Sequence, residues 1–355
     1  MTPEPQPSHI RVERIAAWLF IIGILVVCLD YFSSFLQPVV LAIMVWYCIY
    51  VVKSYARKIR IRGKKLPEWL LTTLAFILII LVTFGIIEIV THNLELIIGR
   101  FPTYVASSRH LFESIKTIDG FEKIQERIIG RLEDFDFRPL LTGLLNGLSG
   151  FAGNMIMIIV YVGFLLAEEN LFKRKIGIVT KSSGQPGSIH VILEQINDAI
   201  RTYVLVKTQM SVLTGFLSYM ILILFDVDFP VLWAFLIFLL NYIPYIGSLV
   251  ATLLPSVFVI FQYQSFSMFV WVFLAIEAVQ IVVGNVLEPK VMGKTLNLSP
   301  LGVLLALTFW GILWGILGMI ISVPITSILV IMASRIPSLR FLAIWFSETG
   351  DLDAH

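Results

Sequence analysis

Residues 285–300 read Asn-Val-Leu-Glu-Pro-Lys-Val-Met-Gly-Lys-Thr-Leu-Asn-Leu-Ser-Pro, and a long apolar run follows, broken by Gly311, Gly315, Gly318 and Pro324. That run is about 34 residues, too long for one upright membrane helix, which needs about 20. Its glycines and proline argue equally against a straight tilted one. An upstream segment, 229–261, has the same anatomy around Asn241-Tyr-Ile-Pro-Tyr-Ile-Gly-Ser248. There Pro244 removes a helical donor and Gly247 permits an abrupt turn. Each arm of about 15 residues spans ~22 Å at ~1.5 Å per residue. That falls short of a ~30 Å hydrocarbon core, so a re-entrant hairpin is predicted over one long crossing helix. Open backbone at its tip is tolerable only inside protein or facing water.

The two broken segments carry matching punctuation: Pro230, Gly247 and Pro255 correspond to Pro300, Gly318 and Pro324. Pro244, Gly247, Pro255, Gly315, Gly318 and Pro324 are the predicted breaks. Each segment follows one full span, 208–225 and 267–287. Charge sets the orientation. The stretch 53–67 carries Lys53, Arg57, Lys58, Arg60, Arg62, Lys64 and Lys65 with no acid, and short basic loops stay in the cytoplasm. Counting spans from there, the first hairpin enters from outside and the second from inside, next to Glu288, Lys290 and Lys294. The fold class predicted is an all-α polytopic membrane protein. Its core is an inverted repeat of a transmembrane span plus a broken, re-entrant helical hairpin, with the tips meeting near the midplane. Eight full spans are the alternative, which would put Lys290 and Lys294 outside.

Composition agrees with a membrane protein. Of 355 residues, 58% are hydrophobic and 14% charged, against roughly 45–50% and 25% in soluble domains. Cys28 and Cys48 lie in apolar runs and read as small buried hydrophobes, with no disulfide or metal site expected. No P-loop, dinucleotide turn, zinc spacing or nucleophile elbow occurs, so neither an enzyme nor a cofactor is expected. Active transport must then draw on an ion gradient or a partner. No cleavable signal peptide is expected, because the polar N-terminus leads straight into membrane.

In order, 1–68 holds two spans and the basic cytoplasmic loop, which can touch anionic lipid headgroups. Residues 69–168 hold the third and fourth spans, with extracytoplasmic amphipathic helices in 92–145. Leu111, Ile115 and Ile118 recur there at helical spacing, as do Phe121, Ile124, Ile128, Leu132 and Phe135. Gly143, Gly147, Gly150 and Gly153 are expected to allow close helix approach as the fourth span begins. That span ends at Ala167, before Glu168 and Glu169. A linker and a surface helix turning into the membrane follow over 169–206. The repeats occupy 207–265 and 266–335, and 336–355 is a cytoplasmic tail.

At 241–248, with Pro255 after it, and at 285–293, with Leu298-Ser-Pro300 and Gly318…Pro324 following, the chain resembles the autoinducer-2 exporter (AI-2E) family of bacterial permeases. The likeness covers roughly residues 10–335. It implies a multi-pass transporter of the bacterial cytoplasmic membrane, conventionally drawn with eight spans; the charge pattern, with Arg335 and Arg340 in the tail, is what places both termini inside. The resemblance also implies a homo-oligomer, with a pentamer as one candidate, and a link to quorum sensing or to sodium/proton antiport.

Glu277 lies deep in the span 267–287, where an acid costs at least ~2.5 kcal/mol and usually faces a cavity or a partner. Gln280, Gly284, Asn285 and Glu288 follow on what α-helical spacing makes one side. Glu277, Gln280, Asn285 and Glu288 are therefore the candidate coupling residues; the bland reading is a polar helix–helix contact. Asn241, Tyr242, Tyr245 and Ser248 at the first tip are candidate substrate contacts. Thr308, Trp310 and Trp314 near the second are weaker candidates, readable as packing and interface anchors. The function predicted is gradient-driven export of a small polar solute. The alternatives are a monovalent-cation/proton antiporter and a non-transporting oligomeric scaffold; nucleic acid is not an expected partner.

Overall fold

The computed structural model describes residues 12–56, 60–61, 64–65, 67–115, 138–182, 186–292, 297–336 and 339–350. Helices α1 (Val12–Tyr31) and α2 (Ser33–Ala56) are followed by a two-residue antiparallel ladder, β1 (Arg60–Ile61) with β2 (Lys64–Lys65). Then come α3 (Glu68–Ile115), α4 (Arg138–Ser182), α5 (Pro186–Leu224), α6 (Pro230–Leu240), α7 (Ile246–Tyr263) and α8 (Phe266–Gln280). A π-helical turn, Ile281–Leu287, joins α8 to α9 (Glu288–Met292); α10 (Pro300–Ser334) and α11 (Arg340–Phe346) complete the chain. Six helices among the described residues are long and apolar enough to cross a bilayer. The protein is an all-α polytopic membrane protein.

Three helices run further than their apolar cores. α3 continues past Val90 to Ile115, so Leu111 and Ile115 belong to its last turns rather than to a separate amphipathic helix. Ile118, Phe121, Ile124, Ile128, Leu132 and Phe135 lie outside the described residues. α4 carries on past Ala167 to Ser182, and α5 joins the expected surface helix and the fifth span without a turn. The reason in α5 is local: Tyr203-Val-Leu-Val-Lys-Thr208 contains neither glycine nor proline to stop propagation. Among the described residues the expected close approach is not made at Gly143 or Gly153, since a methyl added at either meets nothing within 4 Å.

The main core gathers Val90, Leu94 and Ile97 of α3, Leu222 of α5, Trp233 and Ile237 of α6, Phe258 of α7 and Ile276 of α8. It is built around the first hairpin. Its arms lie antiparallel: the Phe258 ring is 5.2 Å from Trp233 and 6.2 Å from Phe229. At its base the Asp228 N–H donates to Gln262 Oε1 at 2.9 Å, and Gln262 Nε2 donates to the Asp226 carbonyl at 2.9 Å. Entry and exit therefore sit side by side. At the tip Pro244, Tyr245 and Ile246 form a γ-turn, with Tyr245 at φ 58° and its neighbours bonded at 2.6 Å. Gly247 follows because nothing larger fits: a Cβ there would fall 1.9 Å from the Leu240 carbonyl oxygen.

The second hairpin lies within α10. Gly315 (φ 63°, ψ −142°) breaks the helix, and Trp310 Nε1 donates across the arms to Thr326 Oγ1 at 3.1 Å. A Cβ on Gly318 would come 1.8 Å from the Trp310 carbonyl oxygen, the counterpart of Gly247 on Leu240. Pro255 and Pro324, expected as breaks, instead lie inside continuous helical arms, both buried. Neighbouring helices and hydroxyls let a membrane helix absorb a lost donor.

The hairpins point in opposite directions along α5. The base of the first adjoins the C-terminal end of α5, where Tyr263 Oη donates to the Phe225 carbonyl at 3.0 Å. Its tip reaches back to Thr208 and Ser211. The base of the second lies by the N-terminal half of α5, where Arg335 Nη2 donates to Gln195 Oε1 at 3.0 Å. Its tip is held at the end of α1, where Trp314 Nε1 donates to the Leu29 carbonyl at 3.1 Å. The expectation that the two tips meet is thus overturned: among the described residues the hairpins make no contact with each other. Each tip is captured by a different helix first.

Candidate functional site

Helix α5 presents Lys207, Ser211, Thr214 and Ser218 on one buried face, at steps of four, three and four. Hydroxyls and an ammonium withdrawn from both lipid and water need partners, and most find them. Lys207 Nζ donates to both carboxylate oxygens of Glu288, at 2.7 and 2.9 Å. The side chains are 8% and 16% exposed, so this is a buried ion pair. Ser211 accepts from Asn241 Nδ2 at 3.1 Å, and Tyr242 Oη donates to Thr208 Oγ1 at 2.8 Å. The first hairpin tip is thus pinned to α5 one turn from the ion pair.

Above that level the polar face is incompletely satisfied. Ser218 Oγ and Gln280 Nε2 are buried without a hydrogen-bond partner among the described residues, as is Tyr203 Oη near the ion pair. Helices α5 and α8 run antiparallel. Val283 clusters with Val206 and Met210, while Ile276 joins the core that holds Leu222. Gln280 therefore sits beside the middle of the α5 face, at the level of Thr214 to Ser218. Unpaired buried amides and hydroxyls in such a place can be met by water or by the polar groups of a solute.

At the C-terminal end of α5, Tyr104 on α3 donates to Asp228 Oδ2 at 2.5 Å and ties that helix to the hairpin base. Burial pushes the Tyr104 phenol up to about 12, and the bond to Asp228 acts in the same direction. A cavity of about 750 Å³, lined by Lys53, Glu68, Trp69, Thr72 and Thr73, lies between α2, α3 and α4 instead, away from this face.

Of the predicted residues, Asn241, Tyr242, Gln280 and Glu288 converge on this face. Tyr245 and Ser248 do not: Tyr245 is exposed at the tip, and Ser248 Oγ donates to its carbonyl at 2.9 Å. Glu277 is half-buried, three residues before Gln280, with no hydrogen-bond or ion-pair partner among the described residues. Asn285 is exposed, which corrects its expected place beside Glu277. The wider π turn shifts every later residue around the axis, which brings Glu288 inward to Lys207, while Asn285 lies on the far side from the buried Val272, Ile276 and Gln280. Thr308 is exposed and bonded to the Leu304 carbonyl, and Trp310 and Trp314 are packing residues. Sequence reasoning missed Lys207, Thr208 and Ser211. The available signal was the periodic polar face on α5, hidden by treating Lys207 as the edge of a span. No cluster of metal-ligating side chains occurs among the described residues.

A family model described as AI-2E family transporter matches residues 15–338. A protein of Borreliella burgdorferi that carries the name "Putative transport protein" is 29% identical over 342 residues, covering 94% of this chain and 91% of its own. One from Haemophilus influenzae is 29% identical over 349 residues, 97% of each chain. The AI-2 transport protein TqsA of Escherichia coli K12 is 33% identical over 209 residues, 59% of this chain and 60% of its own.

Proposed function

Because this chain belongs to the AI-2E transporter family, we propose that it is a secondary transporter that moves a small polar solute out of the cell across the cytoplasmic membrane, driven by an ion gradient. The observation that carries this reading is the buried polar face of α5. It runs from the Lys207–Glu288 pair past the first hairpin tip to the unpartnered Ser218 and Gln280. Polar groups inside a bilayer are costly and are usually kept for function. The lining is hydroxyl and amide around a charge-neutral pair, which suits an uncharged, hydrogen-bonding solute. The relative TqsA is named for transport of AI-2, which supports a transported solute rather than a scaffold role.

In this reading the basic stretch 53–67 and both termini face the cytoplasm. The protein works as a homo-oligomer; the open small-residue face at Gly143 and Gly153 suits close approach of a second copy. Glu277 is the coupling carboxylate, half-buried beside the polar face and free of a fixed partner.

The test is transport by the purified protein in proteoliposomes under imposed sodium or proton gradients, following internal pH and uptake of labelled sugar-like solutes. Glu277→Gln retains folding and downhill flux but loses gradient-dependent accumulation. If the variant accumulates solute with unchanged sodium and pH dependence, Glu277 does not couple. Proton movement driven by sodium with no solute moved would instead favour cation/proton antiport.

A further inference from the structure

Between Gln280 and Glu288 the helix runs for seven residues, Ile281–Leu287, as a π turn. We propose that this turn is a hinge whose conversion to α-helix swings Glu288 off Lys207 and opens the inner end of the polar face. The proposal rests on the transporter reading above and adds to it the moving part and the residue, Lys207, that the movement uncovers.

The geometry sets the size of the motion. A π turn holds one residue more than an α turn, so converting one rotates everything downstream by about 100° and lengthens the helix by about 1.5 Å. A carboxylate held at 2.7 and 2.9 Å is carried clear of its partner by such a rotation.

The surroundings decide which side turns. Upstream, Val272, Ile276 and Gln280 are buried and fixed in the core. Downstream, α9 is only five residues long and is held by the Glu288 ion pair and by Met292 against Tyr203 and Val206, a smaller hold than the upstream core, so it is the side that turns. Within the turn Ile281, Val282, Asn285 and Val286 are exposed, and a methyl added to Gly284 meets nothing within 4 Å. Only Val283 is buried there, against Val206 and Met210.

The ion pair supplies the bias. With Glu288 gone, the buried Lys207 ammonium lacks a counter-charge, a strongly unfavourable condition. A solute hydroxyl or carbonyl oxygen beside Thr208 and Tyr203 would replace the lost acceptor. The empty site therefore favours the closed, π-helical form, and occupancy favours the open one.

The experiment uses the full chain in nanodiscs, spin-labelled at Val212 on α5 and Val291 on α9, both exposed. Two distances are expected, separated by roughly 8 Å for a ~100° rotation of a helix of ordinary radius. Deleting Val282 removes the extra residue, so the segment closes as α-helix while Glu288 keeps its register on Lys207. That variant retains only the closed distance and loses proteoliposome uptake of the labelled sugar-like solute, while still eluting as a folded protein. Gly284→Ala acts in the opposite sense, raising the open population, because alanine favours α-helix and the space is vacant. A single distance in both the parent and Gly284→Ala overturns the hinge, as does parental uptake by the Val282 deletion. If the deletion fails to fold, Gly284→Ala decides alone. If the parent moves no tested solute or cation, the transporter reading fails, and the distance distributions still decide the hinge.

Discussion

Adding one methyl group at Gly318 tests the hairpin packing directly. The new carbon would lie 1.8 Å from the Trp310 carbonyl oxygen, whereas ordinary contact begins at 3.4 Å. The arms must part by the difference, about 1.6 Å. The obstacle is main chain, so no side-chain rotation relieves it. Overpacking of this kind costs about 1–3 kcal/mol. Parting the arms also stretches the 3.1 Å bond from Trp310 to Thr326 beyond useful length, a further loss of about 1 kcal/mol. Gly318→Ala should therefore destabilise the protein by about 3 kcal/mol, roughly a hundredfold in the population of the opened form. Proteolytic susceptibility of the full-length protein in detergent reads that ratio, and tryptophan fluorescence reports on Trp310 and Trp314 at the tip. Gly85→Ala is the control, mid-helix in α3 with open space around it. It should be neutral or more stable by up to ~1 kcal/mol. Equal stability of the two variants would show that the arms do not meet as described.

The remaining expectations can be checked with similar material. Lys207→Met and Glu288→Gln each strand a buried partner and should cost about 3–5 kcal/mol, while the double variant should lose much less. Additive losses in that cycle would refute the ion pair. Cysteine at Ser267 should react with impermeant reagents from outside and cysteine at Lys290 should not; outside labelling at 290 would reverse the second repeat. Tyr104→Phe should cost about 1 kcal/mol at the hairpin base. Because burial raises the Tyr104 phenol to about 12, its contribution is complete below the ordinary value near 10 and is lost as pH climbs through about 12. The stability gap between parent and variant should be flat from pH 7 to 9 and shrink above 10. A gap that widens there would contradict the assignment.

The hairpins were legible because their breaks are chemical. Gly247 and Gly318 sit where a Cβ would strike a carbonyl, and Gly315 takes a positive φ, so residue identity announces the geometry. Pro255 and Pro324 misled because a buried helix can do without one donor. The long reach of α3, α4 and α5 was hidden because an amphipathic pattern following an apolar run looks like a second helix, whereas the backbone continues unless something stops it. The π turn was invisible. Ile-Val-Val-Gly-Asn-Val-Leu carries no mark that separates it from ordinary helix, and so the inward turn of Glu288 toward Lys207 could not be read from spacing. Lys207 was present in the polar spacing of α5, but it acquires meaning only when the fold carries Glu288 to it, 81 residues away in sequence.

The unbroken course of α3 has a mechanical consequence. Near its start Glu68 meets Lys53 at 3.3 Å, and far along it Tyr104 grips the base of the first hairpin. The 36 helical rises from Glu68 to Tyr104 measure about 54 Å at ~1.5 Å each, well over the thickness of the hydrocarbon. With no loop between the two contacts, α3 behaves as a connecting rod. Tilting it by about one degree around Glu68 displaces Tyr104 by roughly 1 Å, about a third of a hydrogen-bond length. A shift of α3 at its Lys53 end is therefore carried along the helix toward the hairpin base, damped by the gentle bending that long helices allow.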